Sequence, residues 1–243
     1  MFADIHSHII PAADDGAVDE KTAANMLRMA SANGTSHIVA TPHFIVGSVE
    51  NPSILVHEKC VELQSLADRE GIDITIHPGA EVFIGPDIPE LFDKGVINTL
   101  NDSSYILLEL PMSGIPIYTE EILYDLQLKG LTPIIAHPER NSEILKNPDI
   151  LASMVSRGIL AQINSGSVTG LYGRKIRKVA MKLIKMGLIH FVASDAHTCG
   201  RRSPSLETAA AIVHRKFGSD TAECLFYKNG MAILENGIVP CKV

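Results

Sequence analysis

Short apolar runs alternate along the chain with longer segments in which apolar residues recur every three or four positions. Seven runs are too short for helices and lack a regular alternation of polar and apolar residues, which is typical of parallel strands buried on both faces. These candidate strands are Phe2–His6, His37–Thr41, Ile72–His77, Tyr105–Leu110, Thr132–Ala136, Leu160–Ile163 and His190–Ala193. The pattern therefore predicts an α/β fold built on a parallel sheet.

The segments between the candidate strands have the pattern of amphipathic helices. Glycines follow six of them, and glycine is the residue that most easily ends a helix in a left-handed conformation. These glycines are Gly34, Gly71, Gly130, Gly158, Gly187 and Gly218. Seven strands alternating with helices favour a distorted (β/α)7 barrel of the TIM type, and an open doubly wound sheet is the alternative. No GxGxxG or GxxxxGK[ST] motif supports a nucleotide-binding version of the open sheet.

Composition limits the class of protein without identifying it. The chain has 243 residues, of which 46% are hydrophobic, and it shows no linker or low-complexity tract, so we expect one domain over residues 1–243. Its 28 acidic residues exceed its 21 basic ones, giving a net charge of −7. That balance argues against general binding to nucleic acid or to an acidic membrane.

The cysteines and the N-terminal segment indicate a cytoplasmic protein. None of Cys60, Cys199, Cys224 and Cys241 forms a CxxC pair, and a chain of this size needs no disulfide framework, so we expect reduced thiols. The first residues have neither the basic start nor the apolar stretch of a signal peptide, and no apolar run is long enough to span a membrane.

Acidic residues and histidines follow almost every candidate strand. The carboxyl ends of barrel strands form one mouth, so these side chains are expected to converge there. Crowded carboxylates repel one another unless cations lie between them, so their convergence predicts a metal site. The candidate ligands are five histidines and four carboxylates, namely His6, His8, His43, His137, His197, Asp15, Glu81, Glu109 and Asp195.

The number and type of these ligands indicate several hard or borderline metal ions. Nine ligands are too many for one ion and suit two or three divalent ions, because zinc takes about four ligands and larger coordination spheres reach about six. The set contains no thiolate, so manganese, iron or zinc in a hydrolytic role is favoured. Arg140 and Arg201 follow two of the ligands closely and are placed to bind phosphate oxygens.

Taken in order, the motifs DIHSH, DDG, TPH, GAE, LLELP, IAHPERN and SDAH resemble those of the polymerase-and-histidinol-phosphatase superfamily. The fuller pattern resembles one branch of it, the bacterial manganese-dependent protein tyrosine phosphatases encoded with capsule and exopolysaccharide genes. The resemblance runs essentially from end to end. It implies a distorted (β/α)7 barrel, a trinuclear metal centre, and dephosphorylation of phosphotyrosine on a bacterial tyrosine autokinase.

The resemblance also implies a role for each candidate residue. His6, His8, Glu81 and Asp195 would hold the first ion, with Glu81 bridging to a second ion that Glu109 and His137 complete. Asp15, His43 and His197 would hold the third. Arg140 and Arg201 would bind phosphate, although Arg202 stands beside Arg201 as an alternative. In one departure from close relatives, Phe44 and Ile45 follow His43 where a basic residue is common.

The expected reaction is attack of metal-bound hydroxide on a phosphomonoester, without a cysteine nucleophile. Asp195 or His197 would give what help the leaving group needs. Two other functions stay open at this point, a small-molecule phosphatase of the histidinol-phosphate type and a non-catalytic metal-binding regulator. A basic stretch over residues 174–185 is either a solvated helix face or a docking site for an acidic phosphopeptide.

Overall fold

The computed structural model describes residues 1–240 and contains nine strands, all paired in parallel. The strands are β1 (Phe2–Ser7), β2 (Thr35–Ala40), β3 (His43–Phe44), β4 (Thr75–Pro78), β5 (Glu81–Phe83), β6 (Tyr105–Glu109), β7 (Thr132–Ala136), β8 (Leu160–Asn164) and β9 (Phe191–Ala193). All seven predicted strands are present, and the parallel α/β organisation is confirmed.

The strands form two sheets, in the orders β1-β2-β4 and β3-β5-β6-β7-β8-β9. Only two residues separate β2 from β3, and only two separate β4 from β5, so each of these pairs leads from one sheet to the other. Beyond the ends of β1 and β9, His8 N donates to Ala196 O at 2.8 Å and Asp195 N donates to His6 O at 2.9 Å. These contacts bring the ends of the first and last strands together.

Helices of up to 17 residues connect most of the strands. They are α1 (Glu20–Ala32), α2 (Ser53–Arg69), α3 (Ile88–Asp93), α4 (Thr119–Leu128), α5 (Asp149–Ser156), α6 (Ser165–Thr169), α7 (Arg174–Lys185), α8 (Glu207–Phe217), α9 (Ser219–Glu223) and α10 (Asn229–Leu234). Helix α1 shows how the sequence sets its ends. Asp19 caps it by accepting from Thr22 N at 2.7 Å, and Gly34 follows with φ +89°.

The core lies on both sides of the strands. One group of buried side chains packs between the strands and α1 and α2, and a larger group packs against α4, α5, α7 and α8. A third group includes Ile5, Leu107, Phe191 and Ile233, so helix α10 packs against strand residues as well. Gly230 is required there, since a Cβ at this position would lie 2.9 Å from the Cβ of Ala3.

The cysteine prediction is wrong at one residue. Cys60 and Cys199 carry free thiols, but Cys224 is disulfide-bonded, and Cys241 lies outside the described residues. Sequence spacing excluded only a CxxC pair, and it says nothing about which distant segments approach each other in space. Within residues 1–240, none of the helices has both the length and the apolar character needed to cross a bilayer.

Candidate metal centre

Glu81 lies at the centre of the predicted ligands. It follows β4 at the start of β5 and is only 1% exposed. Its Oε2 atom lies 3.2 Å from His6 Nε2, 3.3 Å from His8 Nε2 and 3.1 Å from His43 Nδ1. Its Oε1 atom lies 2.7 Å from His137 Nε2. Four imidazoles from three different segments therefore meet on one buried carboxylate.

His6 and His8 face each other across a short gap. Their Nε2 atoms are 3.2 Å apart, and both rings are fully buried. Asp195 approaches the same gap, with Oδ1 3.6 Å from His6 Nε2 and 3.5 Å from His8 Nε2. Together with Glu81, these residues give four groups that can donate electron pairs to one position, the arrangement that a shared cation needs.

A second group of ligands lies on the more open side of the centre. It consists of His8, Asp15, His43 and His197. Asp15 Oδ1 is 3.4 Å from His43 Nε2 and 3.2 Å from His197 Nε2. The Asp15 side chain is 64% exposed, whereas His197 is buried, so this group joins the buried ligands to the solvent.

Glu109 completes a third group with His43 and Glu81. Its two oxygens lie 3.8 Å from His137 Nε2 and 3.9 Å from His43 Nδ1. Glu109 is the last residue of β6 and His137 directly follows β7, two strands that pair in parallel. All nine predicted metal ligands are therefore brought together at the ends of strands, as the pattern predicts.

Two residues of the centre have left-handed backbone conformations that non-glycine residues seldom adopt. His137 has φ +32° and Asp195 has φ +51°. Such conformations cost on the order of 1–3 kcal/mol and persist only where the surroundings impose them. His137 directly follows β7, and its side chain contacts Glu81. Asp195 lies two residues after β9, and its side chain lies near His6.

The predicted phosphate-binding arginines differ in position. Arg140 Nη1 donates to Asp195 Oδ2 at 3.2 Å, and its guanidinium lies 4.8 Å from the centre of the Tyr172 ring. Arg201 is exposed, and its Nη2 donates to the carbonyl of Leu171. Arg202 instead donates from Nη2 to Asp195 Oδ1 at 2.8 Å, so Arg202 is the guanidinium that adjoins the ligands.

Sequence reasoning missed three residues that hold the ligands in place. Asp14 Oδ2 accepts from His8 Nδ1 at 2.7 Å and from His43 N at 2.8 Å. Gln162 and Asn164 form a chain in which Gln162 Oε1 contacts His6 Nδ1 at 3.0 Å and Asn164 Nδ2 donates to Asp195 Oδ2 at 2.6 Å. Such contacts fix the ring orientation of metal-binding histidines.

Asp4 is buried in the same strand as His6 and accepts hydrogen bonds from the backbone. Its Oδ1 atom accepts from the backbone nitrogens of Ser194 and His6, at 2.9 and 3.4 Å. The DDG motif could have indicated the role of Asp14, because two adjacent carboxylates in one turn can face different histidines. Here Asp14 faces His8 and Asp15 faces His197. Gln162 and Asn164 carry no such signal, because their side chains serve many structural purposes.

The electrostatics keep most of the carboxylates charged. Burial opposes the charge of Glu81 and of Asp195, but the adjacent histidines, His6 foremost, hold the pKa of both carboxyls well below the usual range. At Asp14, burial is likewise outweighed by the hydrogen bond from His8, which lowers its pKa to about 2. By contrast, burial and the charge of Glu81 raise the pKa of Glu109.

The histidines divide into two kinds. Burial disfavours charge on His6 and His8, yet the surrounding carboxylates raise the pKa of both rings. Burial and the neighbouring charge of His8 lower the pKa of His197 to about 4. His197 is therefore neutral near pH 7, which is the form of imidazole that binds a metal.

The chemistry of these groups fits divalent cations. Two buried ring nitrogens, His43 Nδ1 and His197 Nε2, have no hydrogen-bond partner among the described residues, although both face carboxylates. Buried polar atoms without partners are costly in a folded protein. Unpaired imidazole nitrogens and charged carboxylates in one cluster are the oxygen and nitrogen ligands that such cations prefer.

Comparisons with known proteins agree with this arrangement. A family model described as "Capsular polysaccharide synthesis, CpsB/CapC" matches residues 2–235. The chain is 40% identical over 233 residues to the tyrosine-protein phosphatase YwqE of Bacillus subtilis (strain 168), with 96% of this chain and 91% of that protein covered. It is 32% identical over 241 residues to the tyrosine-protein phosphatase CpsB of Streptococcus pneumoniae, with 97% and 99% covered.

A solved structure is also closely similar. It is described as "Crystal structures of YwqE from Bacillus subtilis and CpsB from Streptococcus pneumoniae, unique metal-dependent tyrosine phosphatases". It superimposes with a TM-score of 0.94 at 39% sequence identity and covers 99% of each chain. The match extends over the strand ends that carry the candidate ligands.

Proposed function

The chain belongs to the CpsB/CapC family, and from this premise we propose that it is a tyrosine-protein phosphatase that depends on divalent metal ions. The observation that carries the proposal is the convergence of four histidines on Glu81, beside Asp195 and Glu109. The relatives that match along most of their length are named as tyrosine-protein phosphatases.

Three groups of ligands are the proposed ion sites. His6, His8, Glu81 and Asp195 would hold one ion, and Glu81, Glu109 and His137 a second. Asp15, His43 and His197 would hold the third, to which His8 also lies close. We propose manganese, with iron or zinc as substitutes, because the ligands are imidazoles and carboxylates only.

The chain's own residues would bind and orient the phosphate group. When bound, divalent ions supply Lewis-acid stabilisation of phosphoryl oxygens and lower the pKa of water at the site. Arg140 and Arg202 both border Asp195, and their guanidinium groups can each contact two phosphate oxygens. The Tyr172 ring lies against the guanidinium of Arg140. Arg201 is the less suitable candidate, since it contacts the carbonyl of Leu171.

The leaving group needs little help from the protein. A tyrosine phenolate has a conjugate acid with a pKa of about 10, so it departs more readily than an alkoxide. Asp195 and His197 are the candidate groups for what assistance is required. The pKa of His197 is lowered to about 4 and the pKa of Asp195 lies well below its usual range, so near neutral pH both would assist through electrostatic or hydrogen-bond contact and not by donating a proton. None of the described cysteines belongs to the ligand groups, so no thiol nucleophile is invoked.

Several finer expectations belong to the same proposal. The substrate would be a phosphotyrosine protein of the capsule or exopolysaccharide system, with a tyrosine autokinase as the first candidate. Residues 1–243 would form one domain, and the expected compartment stays the cytoplasm. The two sheets would form one distorted seven-stranded barrel, because β3 continues β2, β5 continues β4, and backbone hydrogen bonds join residues 6–8 to residues 195–196.

Metal depletion and replacement test the proposal directly. Purified protein is treated with EDTA, and the metal content is measured before and after Mn²⁺, Fe²⁺ or Zn²⁺ is returned. Turnover of a phosphotyrosine peptide, p-nitrophenyl phosphate and histidinol phosphate is followed in each state. We expect the chelated protein to be inactive and the manganese form to be most active on the phosphotyrosine peptide.

Three results would contradict the proposal in different ways. Full activity without metal would exclude the metal-dependent mechanism. A higher kcat/KM on histidinol phosphate than on the peptide would favour the small-molecule phosphatase, and no turnover of any phosphoester by the metal-loaded protein would favour a non-catalytic metal-binding protein.

Glu81→Gln should lose at least about 100-fold in activity, while the exposed Glu90→Gln serves as its control.

A further inference from the structure

Helices α7 and α8 enclose a solvent-open groove of about 700 Å³ whose walls are basic. Helix α7 contributes five of its cations to the walls, which are Arg174, Arg177, Lys178, Lys182 and Lys185. Helix α8 contributes Arg215 and Lys216, and Met181 and Ile212 supply apolar surface. We call this feature the basic groove.

The positive charge of the basic groove is not neutralised within the protein. None of its seven cations lies within 4.0 Å of an acidic oxygen in the described part of the chain, where the lysines and arginines that form ion pairs lie elsewhere. Helix α7 has six cations and no acidic residue, in a protein with a net charge of −7. Such a concentration of like charge is self-repelling and attracts anions.

The direction of α7 increases the positive electrostatic potential of the basic groove, because two of its cations lie at the positive end of the helix dipole. Arg174 and Lys175 lie in its first turn, which has no acidic residue and no side-chain cap. Cations at the amino end of a helix oppose the helix dipole, so they are unfavourable for helix stability. A solvated helix face would tolerate acidic residues at these positions equally well, and their absence calls for a functional reason.

The basic groove begins beside the candidate metal centre. Tyr172, two residues before α7, lies under the guanidinium of Arg140, and Arg140 contacts Asp195. From Arg174 the groove follows α7 to Lys185, a distance of about 16 Å along the helix axis. An extended peptide covers that distance with about five residues. A substrate held at the metal centre can therefore continue directly into the groove.

The shape of the groove favours a peptide over a membrane surface. Helices that lie on membranes expose large apolar side chains next to their basic ones. In α7 the side chains of Ala180, Leu183 and Ile184 are buried in the protein core. The cations also line a concave surface between two helices, which an extended chain can enter and a flat lipid surface cannot.

We propose that the basic groove binds an acidic segment of the substrate protein, located within about ten residues of the phosphotyrosine. This inference rests on the proposed function and specifies the substrate that the same centre accepts. The groove would contribute to substrate binding and to the rate of encounter, and not to the chemical step.

Two synthetic phosphotyrosine peptides test the inference. They share the residues around phosphotyrosine and differ in one flanking segment, which holds four aspartates or glutamates in the first and serine and glutamine in the second. We expect wild-type protein loaded with manganese to show a KM about five- to tenfold lower for the acidic peptide. The preference should decline as salt is raised from 50 to 500 mM, while kcat stays the same for both.

Charge reversal in the groove should remove the preference. Lys178→Glu combined with Lys182→Glu should raise the KM of the acidic peptide to that of the neutral one or above it, and leave kinetics on p-nitrophenyl phosphate unchanged. The matched control is Lys21→Glu with Arg69→Glu, two exposed cations outside the groove that give the same change in net charge. Lys178→Gln with Lys182→Gln, which adds no acidic residue to α7, should give an intermediate effect.

The outcomes separate this inference from the proposed function. If wild-type protein hydrolyses both peptides with the same KM, the groove has no role in substrate binding, although the phosphatase activity stands. If neither peptide is hydrolysed, the proposed function itself fails. Sedimentation with phosphatidylglycerol vesicles that depends on Lys178 and Lys182, together with equal peptide KM values, would assign the groove to membranes and overturn the inference.

Discussion

Asp195 connects the two halves of the proposed catalytic centre. Its Oδ1 atom lies near His6, His8 and Arg202, while its Oδ2 atom accepts from Arg140 and Asn164. One carboxylate therefore lies close to candidate metal ligands and accepts hydrogen bonds from both candidate phosphate-binding arginines, Arg202 at Oδ1 and Arg140 at Oδ2. Its left-handed backbone conformation, φ +51°, is consistent with a position that these partners jointly impose.

The arginine pair offers a sharp test at the level of single residues. Arg202→Ala removes a donor that borders Asp195, so we expect kcat/KM on p-nitrophenyl phosphate to fall by about 100-fold. Arg201→Ala is the matched control, because Arg201 donates to the carbonyl of Leu171 instead of Asp195, and we expect a change below about threefold. Both variants are assayed after their metal content is shown to equal that of the wild type. A larger loss in Arg201→Ala would reverse the assignment.

Asp14 gives a second residue-level prediction. Asp14→Asn replaces the charged acceptor of His8 Nδ1 and of two backbone nitrogens. We expect the affinity for Mn²⁺ to fall by about 10- to 100-fold, as for other residues that orient metal-binding histidines. The measurement is a manganese titration of metal-free protein followed by activity.

The control for Asp14 is Asp19→Asn. Asp19 caps α1 through Thr22 N, and asparagine caps a helix nearly as well as aspartate. That variant should retain the wild-type manganese titration. Unchanged metal affinity in Asp14→Asn would show that the hydrogen bond to His8 is dispensable.

At this scale the sequence predicts residue types better than residue neighbours. Glu81, His137 and the other candidate ligands can be selected from the sequence because histidines and carboxylates at successive strand ends have few alternative explanations. Asp14 is missed because its neighbour Asp15 has the same side chain, and only the three-dimensional turn shows which carboxylate faces His8. Arg201 and Arg202 differ in the same way, since adjacent residues of a loop point in directions that spacing does not determine.

The sequence predicts seven of the strands but not the two short strands, β3 and β5, that follow β2 and β4. Each of the seven apolar runs forms a strand, but β3 and β5 are missed. Pro42 separates β2 from β3, and Gly79 separates β4 from β5, so both interruptions resemble the end of a strand. These short strands matter for the site, since β3 begins with His43 and β5 with Glu81. The bends at Pro42 and Gly79 therefore direct two candidate ligands into the centre.

A histidine pair between β2 and β4 gives a prediction at the level of elements. His37 Nδ1 and His77 Nε2 are 3.1 Å apart, and His77 Nδ1 lies 3.1 Å from Asn101 Oδ1. Asn101 Nδ2 donates to the carbonyl of Leu234 at the end of α10. This chain of hydrogen bonds links two strands to the last described helix. With Nδ1 donating to Asn101, a neutral His77 ring accepts at Nε2 from His37.

Burial lowers the pKa of both His37 and His77, although Glu235 opposes the shift at His37 and the hydrogen bond to Asn101 opposes it at His77. Because the pKa of each ring in the folded protein lies below that of the unfolded chain, the stability they confer is present above pH 6.5. It is lost as the pH falls from 6.5 through the folded-state pKa. The folded protein should therefore lose stability in mildly acidic solution.

Replacing both His37 and His77 measures how much they contribute to the loss of stability at acidic pH. In the metal-free protein we expect Tm to fall less between pH 7.5 and 5.5 for His37→Gln with His77→Gln than for wild type, by about 2 °C. His214→Gln, at an exposed position of α8, is the control and should follow the wild type. Parallel pH curves for all three proteins would show that the pair does not contribute.

On the scale of the whole molecule, the net charge of −7 hides two regions of different character. Glu81, Glu109 and Asp195 concentrate negative charge at the strand ends, and bound divalent ions would reverse its sign. The basic groove places uncompensated cations beside that centre. Composition alone describes the chain as acidic overall, and only the fold shows that acidic and basic residues are separated in space.

Assembly of one site from many strands also makes bound metal a stabilising link across the fold. The candidate ligands come from β1, β3, β5 and β6 and from the segments after β1, β7 and β9, so their positions relative to one another are lost on unfolding. At a Mn²⁺ concentration 100-fold above the dissociation constant, binding to the folded state alone adds about 2.7 kcal/mol. For a chain of this size that corresponds to a rise in Tm of about 5–10 °C.

Thermal unfolding of metal-free protein, with and without Mn²⁺, checks this expectation. Tm should rise with the logarithm of the Mn²⁺ concentration once the sites are filled, and Asp14→Asn should need a higher concentration for the same rise. Mg²⁺ at equal concentration is the comparison ion, and it should act more weakly on a set of ligands rich in imidazole, since it prefers oxygen ligands. If metal analysis shows full occupancy while Tm is unchanged, the ligand groups do not act together as a link between the strands.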